Sequence, residues 1–371
     1  MHPQARLGRV ARSSVRLCAL VSFVACDRVD SRESEAAFAG DVIATSAEVG
    51  GAYSILPLDS GSFAVASDPQ TGLVMVHDAR GSGSQAIGRI GQGPGEYQFA
   101  WELERKADSI LIFDATGRVL VFDSQRRFVR QFDSAIRSGF GTMTMRHDTL
   151  IFSAAIRDRE RFGFPLHVVS PEGAYVRSFG AEDRSISRIG EALLVAKATD
   201  SSVWLARSHR YELEHWHIDG RLLSRVRVDR DYFPPREPTR SKPLEQERPL
   251  TNIQDIGVIP GVGLSVLLTR ARSDWVGSGN TDETADHSHG LGKETTAKSP
   301  SLGSRLQWVE QVIEVIDPED GRLIASHRLG SESFFVGLRE DAAIGVREDR
   351  DGIERAVFMK VRSIPSTRRE R

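Results

Sequence analysis

Short apolar segments, each followed by a polar turn and a second, more polar segment, recur along this chain. The phrase reads LVMVHDARG, RVLVFDSQRR, LHVVSPEG, LEHWHIDG and IEVIDPEDG. Its turns open at Asp78, Asp123, Ser170, His217 and Asp317, and the first three intervals are 45, 47 and 47 residues. Period-two alternation rich in β-branched and aromatic residues, bounded by turn residues, predicts strands. A repeat of this length that holds four strands is a propeller blade.

Dividing the repeats by alternation predicts strands over 52–58, 62–67, 73–77 and 85–90 for blade one, and 101–105, 109–114, 119–123 and 128–132 for blade two. Blade three is predicted at 141–146, 149–154, 166–170 and 175–179, and blade four at 192–197, 202–207, 211–217 and 222–228. Blade five takes 253–259, 263–269, 309–316 and 322–328. The interval of 100 residues from His217 to Asp317 is long enough for two blades. Residues 273–305, however, are Gly, Ser, Thr, Asp and Lys with almost no apolar pattern, which buries too little surface to order further strands. They are read as a polar insertion in blade five. Blade six has three strands, 334–339, 342–347 and 354–361, whereas 42–48 (VIATSAE) is a strand with no hairpin partner. Pairing the two ends completes the last blade and removes exposed edges. The predicted fold is therefore all-β: a six-bladed β-propeller of four-stranded blades over 41–362, closed by the N-terminal strand.

The ends carry a different pattern. Arg6, Arg9, Arg12 and Arg16 precede the apolar stretch 17–25, the layout of an export signal. It closes with Phe-Val-Ala-Cys at 23–26, which resembles the lipobox of bacterial lipoproteins, with Phe23 in place of the usual Leu. The resemblance implies cleavage before Cys26 and acylation of its thiol. Residues 1–25 are then the signal, 26–40 a polar tether, and 363–371 a basic tail. Cys18 and Cys26 are the two cysteines of the chain, so the folded body needs no disulfide. The expected location is across the inner membrane, lipid-anchored at the periplasmic or outer-membrane face. The formal net charge of −2 supplies no field to recruit nucleic acid, and membrane contact is expected through the lipid alone.

Between blades one and two the chain reads GRIGQGPGEYQF. With six blades and turns such as FDSQRRFV and VSPEGAYV, this resembles bacterial six-bladed propeller lipoproteins related to the NHL-repeat group, over about residues 41–362. The resemblance implies an inter-blade crossover in which Glu96 bonds nearby amides. The loop lacks the Lys-Ser/Thr of a phosphate loop and opens no helix. As a ligand-lining surface, its neighbourhood offers Arg89, Gln92, Glu96, Tyr97, Trp101 and Glu102.

Candidate chemistry is sparse. His215 and His217 share a strand face and are weak metal candidates, with no third ligand indicated. Asp286, His287 and His289 fall in the insertion. Asp349, Asp351, Gly352 and Glu354 hold part of a calcium-loop spacing and read as a hairpin turn. Arg157, Arg159 and Arg161 alternate with acids. Inner strands offer Glu102, Glu104, Lys197, Asp255 and Glu340, which form no recognisable ligand set, and no nucleophile elbow appears. No catalytic residue and no cofactor are assigned. The expected role is a monomeric binding or scaffolding module for an envelope protein, a peptide or a glycan. The alternative is a metal-dependent hydrolase or lyase, gluconolactonase-like, that uses the axial channel.

Overall fold

The computed structural model describes residues 42–360, apart from 50–51, 53, 69–70, 138, 140, 157, 159–160, 184–191, 234–248, 275–307 and 340–341. All described residues fall in one unit, Ser34–Arg371. Strands follow the apolar alternation, with ends within three residues of those read in the sequence. Strand β1 is Val42–Glu48. Blade one is β2 (Ser54–Pro57), β3 (Phe63–Ala66), β4 (Val74–His77) and β5 (Ser84–Ile87). The crossover holds β6 (Arg89–Ile90) and β7 (Glu96–Tyr97). Blade two is β8 (Ala100–Lys106), β9 (Ser109–Asp114), β10 (Arg118–Phe122) and β11 (Phe128–Asp133). Blade three is β12 (Gly141–Thr144), β13 (Leu150–Ser153), β14 (Leu166–Val169) and β15 (Tyr175–Phe179). Blade four is β16 (Leu193–Thr199), β17 (Ser202–Arg207), β18 (Arg210–His217) and β19 (Leu222–Arg227). Blade five is β20 (Asn252–Ile259), β21 (Gly263–Ala271), β22 (Val309–Ile316) and β23 (Leu323–Arg328). Blade six is β24 (Phe334–Arg339), β25 (Ala342–Glu348) and β26 (Glu354–Lys360).

Five blades are antiparallel meanders in chain order, and the sixth runs β24-β25-β26-β1. The fold is a six-bladed β-propeller closed by its N-terminal strand. In the seam Val42 faces Met359, Ile43 faces Phe358 and Ala44 faces Val357. Val49 N donates to Glu354 O at 2.9 Å. The buried Thr45 hydroxyl donates to Ala356 O at 3.1 Å. Strand β1 also ties the closing blade to blade one, because the Ser46 amide and hydroxyl both donate to Arg80 O, at 2.8 and 2.9 Å.

Six apolar clusters occupy the six inter-blade spaces. Blades one and two share Ala64, Ile87, Leu103 and Ile112. Blades two and three share Phe113 and Phe152, edge to face at 5.7 Å. Three further clusters fill the spaces between blades three and four, four and five, and five and six. The seam shares Phe63, Val65, Ile344 and Ala356. Middle strands such as β3, β13 and β17 are therefore buried on both faces, and outer strands such as β11 mostly face water. Each fully buried Val, Leu or Phe contributes about 1.5–3 kcal/mol, so stability is distributed around the ring.

The repeated turn has a local cause. In the Asp78, Asp123 and Ser170 copies the first residue accepts hydrogen bonds from amides two and four positions on, and in the His217 and Asp317 copies from the amide two positions on. Asp123 Oδ1 accepts from Gln125 N and Arg127 N, both at 2.9 Å. Ser170 Oγ accepts from Glu172 N and Ala174 N, both at 3.3 Å. Asp349 uses the same chemistry on Asp351 N and Ile353 N in the β25–β26 hairpin. The partial calcium-loop spacing is thus a turn. Strands β21 and β22 pair directly, Ala271 opposite Val309, so the intervening residues leave blade five between its second and third strands. The assigned signal, tether and tail lie outside the described residues, as do all but Ser273 and Asp274 of the insertion and the Asp286, His287 and His289 group.

Candidate functional site

Alternation along β8 sends Leu103 into the core and places Glu102 and Glu104 on the opposite face. Innermost strands of successive blades run side by side around the axis. Polar groups from all six meet in the channel they enclose. Ser54 on β2 donates its hydroxyl to Glu102 Oε1 at 3.0 Å. Thr144 N at the end of β12 donates to Glu104 Oε1 at 3.1 Å. From β20, Asp255 accepts from Ile256 N at 2.9 Å and, through its other oxygen, from Leu338 N at 2.7 Å. Arg339 on β24 donates to Asp255 at 3.0 Å and reaches Glu102 at 3.9 Å. Lys197 on β16 supplies a further positive charge felt by Glu104. Blades two and five stand opposite each other in a six-membered ring, so the Glu102–Arg339–Asp255 chain crosses the axis.

Desolvation in this channel opposes charge on every carboxyl. It drives Glu104 up to about 7, against the lowering effects of the Thr144 amide and Arg339. Glu102 is raised by the same desolvation, although Arg339 and Ser54 pull it down. Asp255 is raised too, with Arg339 and two amides opposing. The Arg339 side chain keeps 38% of its exposure, so channel water screens these pairs. Among the described residues no group of three or more His, Cys, Asp or Glu side chains is arranged to hold a metal ion.

The residues assigned from the sequence to a single ligand surface are divided by the fold. Arg89, Gln92, Glu96 and Tyr97 lie in the crossover, near the outer strands. The two-residue strands β6 and β7 pair in parallel there. Glu96 accepts from Gly93 N at 2.7 Å and from Arg89 Nε at 2.5 Å, and these two bonds hold its carboxyl below the usual range. A Cβ on Gly91 would fall 2.1 Å from Glu96 Oε2, which is why glycine stands there. Arg118 bonds the Gln92 and Gly91 carbonyls at 3.1 and 3.3 Å while its guanidinium grips the buried Asp114 at 2.6 Å. Asp114 in turn accepts from Gln98 N and Phe99 N. Tyr97 is fully buried: its hydroxyl donates to Ile87 O at 2.9 Å and accepts from Val74 N at 2.7 Å. It is therefore a core residue rather than part of a ligand surface. Trp101 packs on Phe113, with its indole nitrogen buried. Glu102 alone of the six faces the axis.

His215 and His217 do not form a metal pair. The His215 ring stacks on Trp204 at 4.6 Å and bonds Ser202 Oγ at 3.0 Å. His217 Nδ1 lies 2.9 Å from Asp219 in its own turn. Arg161 pairs with Asp158, while Arg157 and Arg159 lie outside the described residues. Of the inner-strand polar residues read from the sequence, Glu102, Glu104, Lys197 and Asp255 do converge, and Glu340 lies outside the described residues. Sequence reasoning missed Arg339, which links them. A cation ending the first strand of a blade was the available signal.

Residues 46–224 match the model of a family described as a 6-bladed beta-propeller. No curated protein matches the chain. A Bacteroides fragilis protein described as exported superimposes with a TM-score of 0.53 at 10% identity, over 90% of this chain and 98% of that one. The virginiamycin B lyase of Staphylococcus aureus superimposes with a TM-score of 0.45 at 8% identity, over 88% of this chain and all (100%) of that one. At these identities the likeness is one of fold alone.

Proposed function

We propose that this chain is an exported propeller, lipid-anchored through Cys26 in the bacterial envelope, that binds a protein, peptide or glycan without transforming it. The observation that carries the reading is the commitment of two of the three channel carboxylates. Asp255 is bonded to Arg339 and two amides, and Glu102 to Ser54 with Arg339 beside it. Such a self-compensating lining presents fixed donors and acceptors for recognition rather than an open ligand set for a metal. The Phe-Val-Ala-Cys stretch and the exported Bacteroides protein of similar fold support the location, as does the resemblance to propeller lipoproteins of the NHL-related group.

One observation favours the second reading, a hydrolase or lyase working in the channel. Glu104, held near 7, can both give and take a proton around neutrality. Metal analysis of the purified protein, with thermal melts before and after chelation, separates the two. The binding reading expects no stoichiometric ion and an unchanged melt, whereas a tightly held calcium or zinc overturns it. For the anchor, Cys26→Ser is expected to release the protein from membranes, and unchanged membrane retention refutes lipidation.

A further inference from the structure

Among the described residues, Glu104 is the channel carboxyl with no counter-ion of its own. Its single hydrogen bond among the described residues is from Thr144 N, and no cation comes within ion-pair distance there. The two nearest cations are engaged elsewhere: Lys197 lies 2.7 Å from Asp200, and Arg339 lies 3.0 Å from Asp255. The strand that supplies this bond carries two buried hydroxyls: Thr142 and Thr144 are each 8% exposed, and neither Oγ1 has a partner among the described residues. Bond geometry keeps the Thr144 hydroxyl within about 4 Å of its own amide nitrogen, the atom that holds the Glu104 carboxylate. One wall of the channel thus offers two carboxylates one pleat apart and an unsatisfied hydroxyl, all able to accept hydrogen bonds.

We propose that the Glu102–Glu104 face of β8, with the Thr144 hydroxyl, binds the primary ammonium group of an organic ligand, such as an amine-terminated chain or a lysine side chain. The proposal rests on the binding reading above and names the chemistry of the ligand end that enters the channel. An ammonium carries three donors for these three acceptors and the charge that Glu104 lacks. A guanidinium already fills the Asp255 side, since Arg339 lies there. Calcium takes six to eight oxygens, more than the two carboxylates and one hydroxyl of this face supply.

Ammonium and proton compete for the same carboxyl. With Glu104 near 7, affinity falls about tenfold from pH 8 to pH 6, and binding at pH 6 releases a proton. Arg339, Glu102 and Lys197 are the other charged groups facing Glu104, and Asp255 acts on Glu102.

The test is isothermal titration of the purified full chain with n-butylammonium chloride at pH 6 and pH 8. Tetramethylammonium, which carries the charge but no donor, is the control. Saturable binding is expected at pH 8, about tenfold weaker at pH 6, with little binding of tetramethylammonium. Glu104→Gln is expected to weaken binding at least about tenfold and to flatten its pH dependence, while its thermal melt shows it folded. Absence of saturable binding, equal binding of tetramethylammonium, or parent-like binding by Glu104→Gln each overturns the proposal. If n-butylammonium fails on a metal-free protein, the ammonium proposal falls and the binding reading stands. If calcium chloride binds stoichiometrically at these carboxylates, both fall.

Discussion

Gly81 is where the ring closure can be probed by a single methyl group. It follows the Asp78 turn of blade one, at φ +73°, and a Cβ there would lie 2.5 Å from Ala47 N and 3.0 Å from Ala47 Cβ. Ala47 belongs to β1, the strand that completes blade six, so Gly81→Ala pushes the closing strand off blade one. Two costs add. An L-residue in left-handed backbone costs about 1–2 kcal/mol, and forcing a methyl into a packed contact costs about 1–3 kcal/mol more. The contact cannot relax cheaply. Lifting β1 would break the Ser46 N to Arg80 O bond, 2.8 Å, beside the buried Ala47 and Val49. Gly72 supplies the control, with φ +69° and nothing within 4 Å of its Cβ. Gly72→Ala therefore carries the backbone cost alone. With a urea m-value of about 3 kcal/mol/M, Gly72→Ala lowers the midpoint by about 0.5 M and Gly81→Ala by about 1 M. Equal midpoints for the two variants would refute the argument that β1 is packed against blade one at this point.

Glu104→Gln tests the channel electrostatics. Its folded value near 7 lies above the 4.5 of a free Glu, so its unfavourable ionisation is absent below about 4.5 and develops as pH rises through 7. The variant should be more stable than the parent at pH 8, by up to about 3 kcal/mol before water screening, and equal to it near pH 4.5. Equal melts at pH 8 would contradict that. His167 runs in the opposite direction. It is fully buried, bonded to Ser178 Oγ at 2.7 Å and Ala154 O at 3.1 Å, and burial lowers it to about 4. It contributes no penalty above 6.5 and destabilises the fold progressively as pH falls toward 4, by about 3 kcal/mol in full. Its imidazole NMR signals should stay in the neutral position at pH 5.5, and a shifted signal there would refute the burial argument. Asp114→Ala would orphan the Gln98 and Phe99 amides and strip Arg118 of its carboxylate, costing about 3–5 kcal/mol by chemical denaturation. A cost below about 1 kcal/mol would show that the crossover is not clamped through this pair.

Most of the scaffold was legible because its determinants are local. Strand β9 shows SILIFD as a run buried from Ile110 to Asp114, and β11 shows FVRQFD with mostly exposed positions. A middle strand packed on both faces differs from a rim strand in just this way. The turns were legible for the same reason, since Asp123 or Ser170 acts on amides within four residues of itself. The role of Glu96 in the crossover was also a near-neighbour matter, reaching Gly93 and Arg89.

The candidate site was legible only in fragments. Glu102 and Glu104 could be assigned to one face of a strand by alternation alone. Nothing along the chain, however, says that Asp255 and Arg339 approach them, or that Tyr97 turns inward to bond Ile87 and Val74. The chain by itself determined the strands, their turns and the need for a closing partner, because each depends on residues a few positions apart or on a repeated pattern. The tertiary structure decided which polar residues share the axis and which of their charges lack a counter-ion. That choice depends on ring closure, which brings strands of opposite blades across one narrow channel and leaves too little water to set each carboxyl's charge independently.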